Sequence, residues 1–197
     1  MLPHRFPLLA LALLLGGGCQ TKSSADAVQA QPARGIELRD ASGTVTARVV
    51  PGHPCRATID GLEMLIGTAP LVAQVGDVRW SGVAAANGTT FKRNDTPVAR
   101  MFPDNQPDAV GLYSAEGVAL FTTSAIADGN KVALISGAGA VVATVAKLRG
   151  TIEIGDRTLS GTDDLMLAAV LAAPDVSPEV RGLAACHRLF PPAKAVP

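Results

Sequence analysis

Short alternating segments, joined by turns that contain glycine or aspartate, recur along this chain and constrain its fold more than any other feature. They occupy residues 38–49, 91–101, 112–123 and 134–145. Within each segment apolar and polar residues alternate, which is the period of a strand with one buried face. Because successive copies lie so close together in the sequence, they predict an antiparallel meander.

The turns carry residues with a defined role in hairpins. In the first copy, Asp40 can accept a bond from a following backbone N–H, and Gly43 can adopt the left-handed conformation of a short loop. Gly117 and Gly139 occupy the equivalent position in two other copies. The remaining copy has Pro97 after its turn, and because proline cannot donate to a ladder, this strand is predicted at an edge or a bulge.

Further strands extend this pattern. Residues 151–154 and 158–160 form another hairpin, and residues 57–66 and 72–81 each read as a strand. The total is about 10–12 strands, more than an open twisted sheet holds well. The predicted fold class is therefore mainly β, an antiparallel meander barrel or sandwich around a buried C-terminal hydrophobic helix, with a short final helix.

The buried helix is predicted over residues 162–173. Thr162 or Asp163 is expected to cap it, with Asp164 placed favourably against the helix dipole. From Leu165 onward it is apolar on every face, so protein should enclose it. Its core-forming side chains are expected to be Leu165, Leu167, Val170 and Leu171. A second helix is predicted to start with Ser177 as cap and Pro178 in its first turn.

The N-terminus has the features of an export signal. Residues 1–18 combine a basic start, an apolar run at 8–15 and small residues, which is the pattern of a secretory signal too short to span a bilayer. Cys19, after three glycines, resembles the lipidated cysteine of bacterial lipoproteins. That resemblance implies acylation of Cys19, and Gln20 behind it implies the outer membrane, with the protein facing the periplasm.

The predicted domain organisation follows from these segments. After the signal at residues 1–18, residues 19–34 form a lipid anchor and a polar flexible linker. A single β-rich domain covers residues 35–190, and residues 191–197 form a disordered tail.

Cys55 and Cys186 are expected to form a disulfide, since an exported chain meets an oxidising compartment. Two alternatives remain open at this point. His53 and His187 flank the cysteines, so the four side chains could bind zinc or copper, or the thiols could stay free.

The repeated hairpin segments and the segment TDDLMLAAVLAA together resemble the tubby C-terminal-like superfamily, which includes the LURP-one-related domains. The resemblance covers residues 36–173. It implies a twelve-stranded barrel threaded by a hydrophobic C-terminal helix, and association with lipid or a membrane surface. It brings no ligand residue with it, because the basic phosphoinositide-binding cluster is missing.

Composition and motifs narrow the function classes. The 17 basic and 17 acidic residues cancel, which argues against nucleic-acid binding. The sequence contains no nucleophile elbow, phosphate-binding loop or metalloprotease motif, so no catalytic residue, metal or cofactor is predicted.

Three remaining groups of residues have a simple structural interpretation. Residues 104–108 could bind calcium, but a polar loop explains them equally well. Lys92, Arg93 and Arg100 are interpreted as a solvated strand face, and Trp80 as a core residue.

The predicted function is that of a membrane-anchored bacterial envelope lipoprotein, a non-enzymatic binding or scaffold module. Its candidate partners are the membrane, through the N-terminal lipid, and lipids or envelope proteins. One alternative is a carrier of lipids or small hydrophobic molecules, which needs an open apolar cavity. Another is a metal-binding protein that uses His53, Cys55, Cys186 and His187.

Overall fold

The computed structural model describes residues 35–85, 87–103, 109–126 and 130–191. The predicted signal, the predicted lipidation site Cys19 and the predicted linker lie outside these residues. So do the candidate calcium loop at 104–108 and the predicted tail beyond Pro191.

The described residues form a closed antiparallel barrel of fourteen strands, which confirms the predicted barrel. The strands are β1 Ile36–Arg39, β2 Val45–Val50, β3 Cys55–Ile59, β4 Leu62–Thr68, β5 Leu71–Val75, β6 Val78–Ala85, β7 Gly88–Arg93, β8 Thr96–Pro103, β9 Val110–Ser114, β10 Ala119–Ala125, β11 Lys131–Ser136, β12 Val141–Leu148, β13 Thr151–Ile154 and β14 Arg157–Ser160. Each strand pairs with its neighbours in sequence, and β14 pairs with β1 to close the wall, with Leu38 opposite Leu159.

The barrel has more strands than predicted because two predicted strands are hairpins. Residues 57–66 split at Asp60–Gly61, where both residues have positive φ. Residues 72–81 split at Gly76–Asp77, with Gly76 again at positive φ. A two-residue turn with this backbone matches the twist of the flanking strands, so it reverses the chain without interrupting the alternation of side chains. The alternation therefore runs through the turn and hides it in the sequence.

The predicted turn chemistry is confirmed in the first hairpin. The Asp40 carboxylate accepts bonds from the backbone N–H groups of Ser42 and Thr44, both at 2.9 Å. Gly43 has φ +83°, the left-handed conformation that glycine adopts without strain. Pro97 lies beside a register shift between β7 and β8, so it occupies a bulge inside the wall.

Two helices fill the inside of the barrel. Helix α1 covers Leu165–Ala172 and helix α2 covers Pro178–Leu189. They pack against each other and against different parts of the wall, α1 on β11–β13 and β1, and α2 on β2–β6. The side chains from Met166 to Ala173 are all buried, as are those from Val180 to Cys186. Protein therefore surrounds both helices, whereas the sequence predicted this for the first alone.

The helix ends differ in part from the prediction. Asp164 caps α1, because its carboxylate accepts bonds from the N–H groups of Met166 and Leu167. Thr162 and Asp163 are not the cap: the Thr162 hydroxyl instead accepts a bond from the Asp164 N–H. Ser177 caps α2 with proline in the first turn, as predicted. The final helix has 12 residues and is longer than α1, which has 8.

The course of the chain defines two ends of the barrel. We call the end at which β1 begins the proximal end and the opposite one, which bears the β1–β2 turn, the distal end. Helix α1 starts at the proximal end after β14, and α2 returns there, where Arg188 bonds the Asp164 carboxylate at 2.6 Å. The helical hairpin therefore turns round at the distal end and shows its C-terminal turn at the proximal end.

Candidate functional site

A disulfide joins the barrel wall to the helical hairpin. Cys55 at the start of β3 and Cys186 in α2 are bonded, with their Cα atoms 6.1 Å apart, and both are buried. This confirms the predicted pairing. Because Cys186 lies in the last turns of α2, the bond fixes the part of the helix that reaches the proximal end.

Close packing supports the same contact between α2 and the wall. Gly182 faces β3 and β4, and a Cβ atom built on it would lie 2.4 Å from the Met64 methyl carbon and 3.5 Å from the Ala57 Cβ. A glycine at this position lets the helix approach the wall more closely than any larger residue would allow.

His187 follows the disulfide and is the central polar group of the proximal end. Its Nε2 atom lies 2.9 Å from the Thr89 hydroxyl oxygen, at hydrogen-bond distance. Burial lowers the pKa of His187 below its ordinary value of 6.5, because removal from water disfavours the charged imidazolium. The ring is therefore neutral at pH 7, with one nitrogen available to accept and one to donate.

The first of three clefts around the C-terminal turn of α2 lies between His187 and the β6–β9 wall. It has a volume of about 320 Å³. Its deep side is formed by buried residues, among them Thr89, Met101 and Val110. Small-molecule sites commonly begin at about 300 Å³ and combine an apolar lining with a few polar groups. The volume of this cleft lies just above that limit, and Thr89 and His187 are polar groups in a largely apolar lining. The cleft is open to solvent.

The second cleft lies on the other side of His187. It has a volume of about 400 Å³ and is bordered by Pro70, Leu71 and Val83. Thr68 also borders it and hydrogen bonds with His53 across 2.5 Å. The His53 ring also contacts Phe190, with ring centroids 4.5 Å apart. Both histidines of the described chain therefore lie at the proximal end, each hydrogen bonded to a threonine.

The third cleft is polar and lies at the start of α1. Its volume is about 280 Å³, and Lys147, Asp163, Asp164 and Arg188 line it. The Lys147 ammonium bonds Asp163 at 2.7 Å, and this contact holds the pKa of the Asp163 carboxyl below its ordinary value. Arg188 bonds Asp164, so the cap of α1 is tied to the last turn of α2. The two aspartates are thus held in ion pairs and in a helix cap.

Two arginines close the distal end of α1. Arg181, which is buried, donates to the Leu171 carbonyl at 3.1 Å and pairs with Asp60. Arg157 donates to the Ala172 carbonyl at 3.1 Å. Cations at the C-terminus of a helix bind its free carbonyl groups and interact favourably with the helix dipole. The two arginines therefore stabilise the end of α1. Within the described residues the Arg181 Nε atom has no hydrogen-bond partner.

The predicted metal ligands lie in one region but are engaged differently. Both sulfur atoms are in the disulfide, so neither can act as a thiolate ligand in this form. In the part of the chain that the structure describes, no three or more histidine, cysteine, aspartate or glutamate side chains are grouped as a metal site. His187 instead borders two clefts, and His53 hydrogen bonds with Thr68, which borders the second of them.

The other predicted residues lie as follows. Leu167, Val170 and Leu171 are fully buried inside the barrel, and Leu165 at the first turn of α1 is half-buried. Trp80 is buried, and Arg93 lies 6.0 Å from its ring centre. Lys92 and Arg100 lie on the outer face of β7 and β8.

Sequence reasoning missed the clefts themselves. They arise because the last turn of α2 lies beside three parts of the wall, β6–β9, β4–β6 and β10–β12. No local pattern predicts which strands face a helix end. One signal was present: His187 directly follows Cys186, so the predicted disulfide already placed His187 in a helix turn that is bonded to the wall.

No protein-family profile, curated protein or solved structure matches this chain. The resemblance to the tubby C-terminal-like superfamily therefore stays untested, and the described barrel has two strands and one internal helix more than that resemblance implies. No helix among the described residues has the length and apolar character needed to cross a membrane.

Proposed function

We propose that this protein is a lipid-anchored, non-enzymatic binding or scaffold module of the bacterial envelope, attached to the outer membrane and facing the periplasm. The observation that carries the proposal is the helical hairpin inside the barrel. Because α1 and α2 occupy the lumen, the barrel offers its outer surface and its two ends to a partner.

The disulfide supports the proposed location. A buried cysteine pair of this kind forms in oxidising compartments such as the periplasm and rarely in the cytosol. The anchor itself rests on the lipoprotein-like pattern that ends at Cys19. More than one acyl chain is needed for a stable anchor, which the resemblance to lipoproteins implies.

Replacement of the anchor cysteine tests the proposal. In a Cys19→Ala variant, labelled palmitate should no longer be incorporated, and the protein should leave the detergent-rich phase after Triton X-114 partitioning. A Gln20→Asp variant serves as the matched control, since it should keep the label and move to the inner-membrane fraction. An unacylated amino terminus in the mass spectrum of the wild-type protein would refute the anchor.

The first cleft favours a second candidate function, the carriage of a small hydrophobic molecule. Buried Met101 and Val110 give it an apolar floor, and His187 with Thr89 gives it a polar edge. Native mass spectrometry of protein extracted from membranes separates the two functions. A carrier should retain a ligand of defined mass, which Met101→Trp would displace by filling the cleft, whereas a scaffold module should give the mass of the acylated chain alone.

A further inference from the structure

The turns at the distal end of the barrel differ in charge. The described chain forms seven hairpins whose turns lie at this end. Six of these turns contain an acidic residue, namely Asp40, Asp60, Asp77, Asp95, Glu116 and Asp156. The seventh, between β11 and β12, reads Ser-Gly-Ala-Gly-Ala and continues into two valines. One of the seven turns is therefore apolar, whereas each of the other six carries a carboxylate.

Exposed valines accompany this turn. Val141 and Val142 at the start of β12 are 64% and 46% exposed, and Val118 in the neighbouring β9–β10 turn is 63% exposed. The Gly137 N–H donates to the Leu120 carbonyl at 3.0 Å, which places the two turns side by side. We call these three residues the distal valine patch. Grouped exposed apolar side chains of this kind, bordered by polar residues, mark interaction sites more often than scattered ones do.

Carboxylates border the patch on both sides. Glu116 precedes Val118 in the same turn, and Asp156 lies in the next hairpin along the wall. The Ser114 hydroxyl donates to Glu116 at 2.7 Å and holds the pKa of that carboxyl below its ordinary value, so it is ionised at neutral pH. Arg157, which follows Asp156, is directed inward to the Ala172 carbonyl.

We propose that the distal valine patch docks onto a protein partner whose contact surface has an apolar centre and lysine or arginine residues at its border. The bordering carboxylates decide between the possible occupants. An anionic lipid surface would be repelled by them, and a second copy of this chain would bring carboxylates against carboxylates. A surface with basic residues at its border satisfies both the valines and the charges.

The test uses the full chain in its own envelope, with photoreactive benzoylphenylalanine in place of Val141. Irradiation should give an adduct with another protein, and mass spectrometry of the crosslinked peptide should place it in an apolar surface bordered by lysine or arginine. Adding Val142→Asp should reduce the yield about tenfold, since a charge would then be buried at the contact. The matched control has the photoreactive residue in place of Leu65, which is 53% exposed on the barrel side, and should give no adduct with that protein.

Each other outcome overturns the proposal. These are an adduct with lipid, an adduct of twice the chain mass, a partner surface bordered by acidic residues, no adduct, or a yield that Val142→Asp leaves unchanged. Palmitate labelling of the same cells tests the anchor separately. Loss of label with the adduct retained would refute the proposed anchor and leave the docking surface standing, and the reverse result would refute the docking surface alone.

Discussion

His187 joins several properties of the proximal end in one side chain. It hydrogen bonds with Thr89, separates two clefts and follows the disulfide-bonded Cys186. Burial lowers the pKa of His187 and favours its neutral form, so the residue that separates the two clefts is uncharged.

The stability of the protein should depend on the protonation of His187. Its pKa is lower in the folded protein than in the unfolded chain, so as the pH falls through 6.5 the unfolded chain takes up a proton first. The free energy of unfolding should therefore be constant above this range with respect to this group and should decrease as the pH drops from 7 towards 5. Urea denaturation at each pH measures it.

A His187→Gln variant provides the comparison. It retains a hydrogen-bonding group towards Thr89 but cannot titrate, so its stability should vary less between pH 7 and 5. Carboxylates with lowered pKa values, such as Asp163, lose their contribution at lower pH and do not confuse this window. Equal pH dependence in both proteins would contradict the assignment.

Local residue chemistry was predictable where it depends on neighbours in sequence. The Asp40 turn and the Ser177–Pro178 start of α2 followed from local residue types. The Cys55–Cys186 pair, which is distant in sequence, was expected from the predicted export, with metal binding and free thiols left open. The cap of α1 was placed at Thr162 or Asp163 but lies at Asp164. Each of the three successive residues from Thr162 to Asp164 is of a type that can cap a helix. Their tertiary contacts distinguish them, because Lys147 binds Asp163 and Arg188 binds Asp164.

The helices show what pattern can and cannot predict for an element. The absence of a polar face in α1 correctly predicted that protein encloses it. Helix α2 has polar residues at its ends, so the sequence did not predict that its middle is enclosed as well. Its buried Arg181 donates to a free carbonyl group at the C-terminus of α1. The two groups meet because the helices form a hairpin, and no sequence pattern links them.

Truncation inside α1 should be costly. In Leu171→Ala, a fully buried side chain is removed from the barrel interior, and the free energy of unfolding should fall by about 2–5 kcal/mol. The control is Leu65→Ala on the exposed outer face of β4, where a change within about 0.5 kcal/mol is expected. Guanidinium denaturation compares the two, and similar losses would mean that α1 does not lie in the core.

The contact between α2 and the wall should fail when Gly182 is enlarged. Gly182→Val places methyl groups against the Met64 side chain, and overpacking of this kind costs about 1–3 kcal/mol. Adding Met64→Ala should restore part of the loss, because it frees the space that valine needs. A double variant whose loss equals the sum of the two single losses would argue against this contact.

At the scale of the whole molecule, a closed barrel was one of the two arrangements predicted, beside a sandwich, and the predicted strand number was too low. Closely spaced hairpins with no long connection leave the two outer strands exposed unless they pair, and β1 does pair with β14. The number of strands depended on two turns, such as Asp60–Gly61, which continue the alternating pattern. The contrast between the apolar β11–β12 turn and the six turns with carboxylates depends on which turns share one end, so it became visible only in the folded barrel.

The disulfide should contribute to stability on the same scale. It joins residues separated by 131 positions, and the chain-entropy model assigns a loop of this length about 5 kcal/mol as an upper figure. Cys55→Ser, Cys186→Ser and the double variant should each lose up to that amount in urea denaturation. If the three losses were unequal by more than about 1 kcal/mol, a role besides the crosslink would be indicated.

The position of the internal helices in the chain has a consequence for biosynthesis. All fourteen described strands precede α1 and α2 in the sequence, so every strand of the wall is synthesised before the residues that fill the barrel. A product truncated before residue 165 would expose an empty apolar lumen and lack the second cysteine. The filled core therefore forms only once the C-terminal residues are present, and we expect a chain that lacks them to be degraded rather than to persist as a stable fragment.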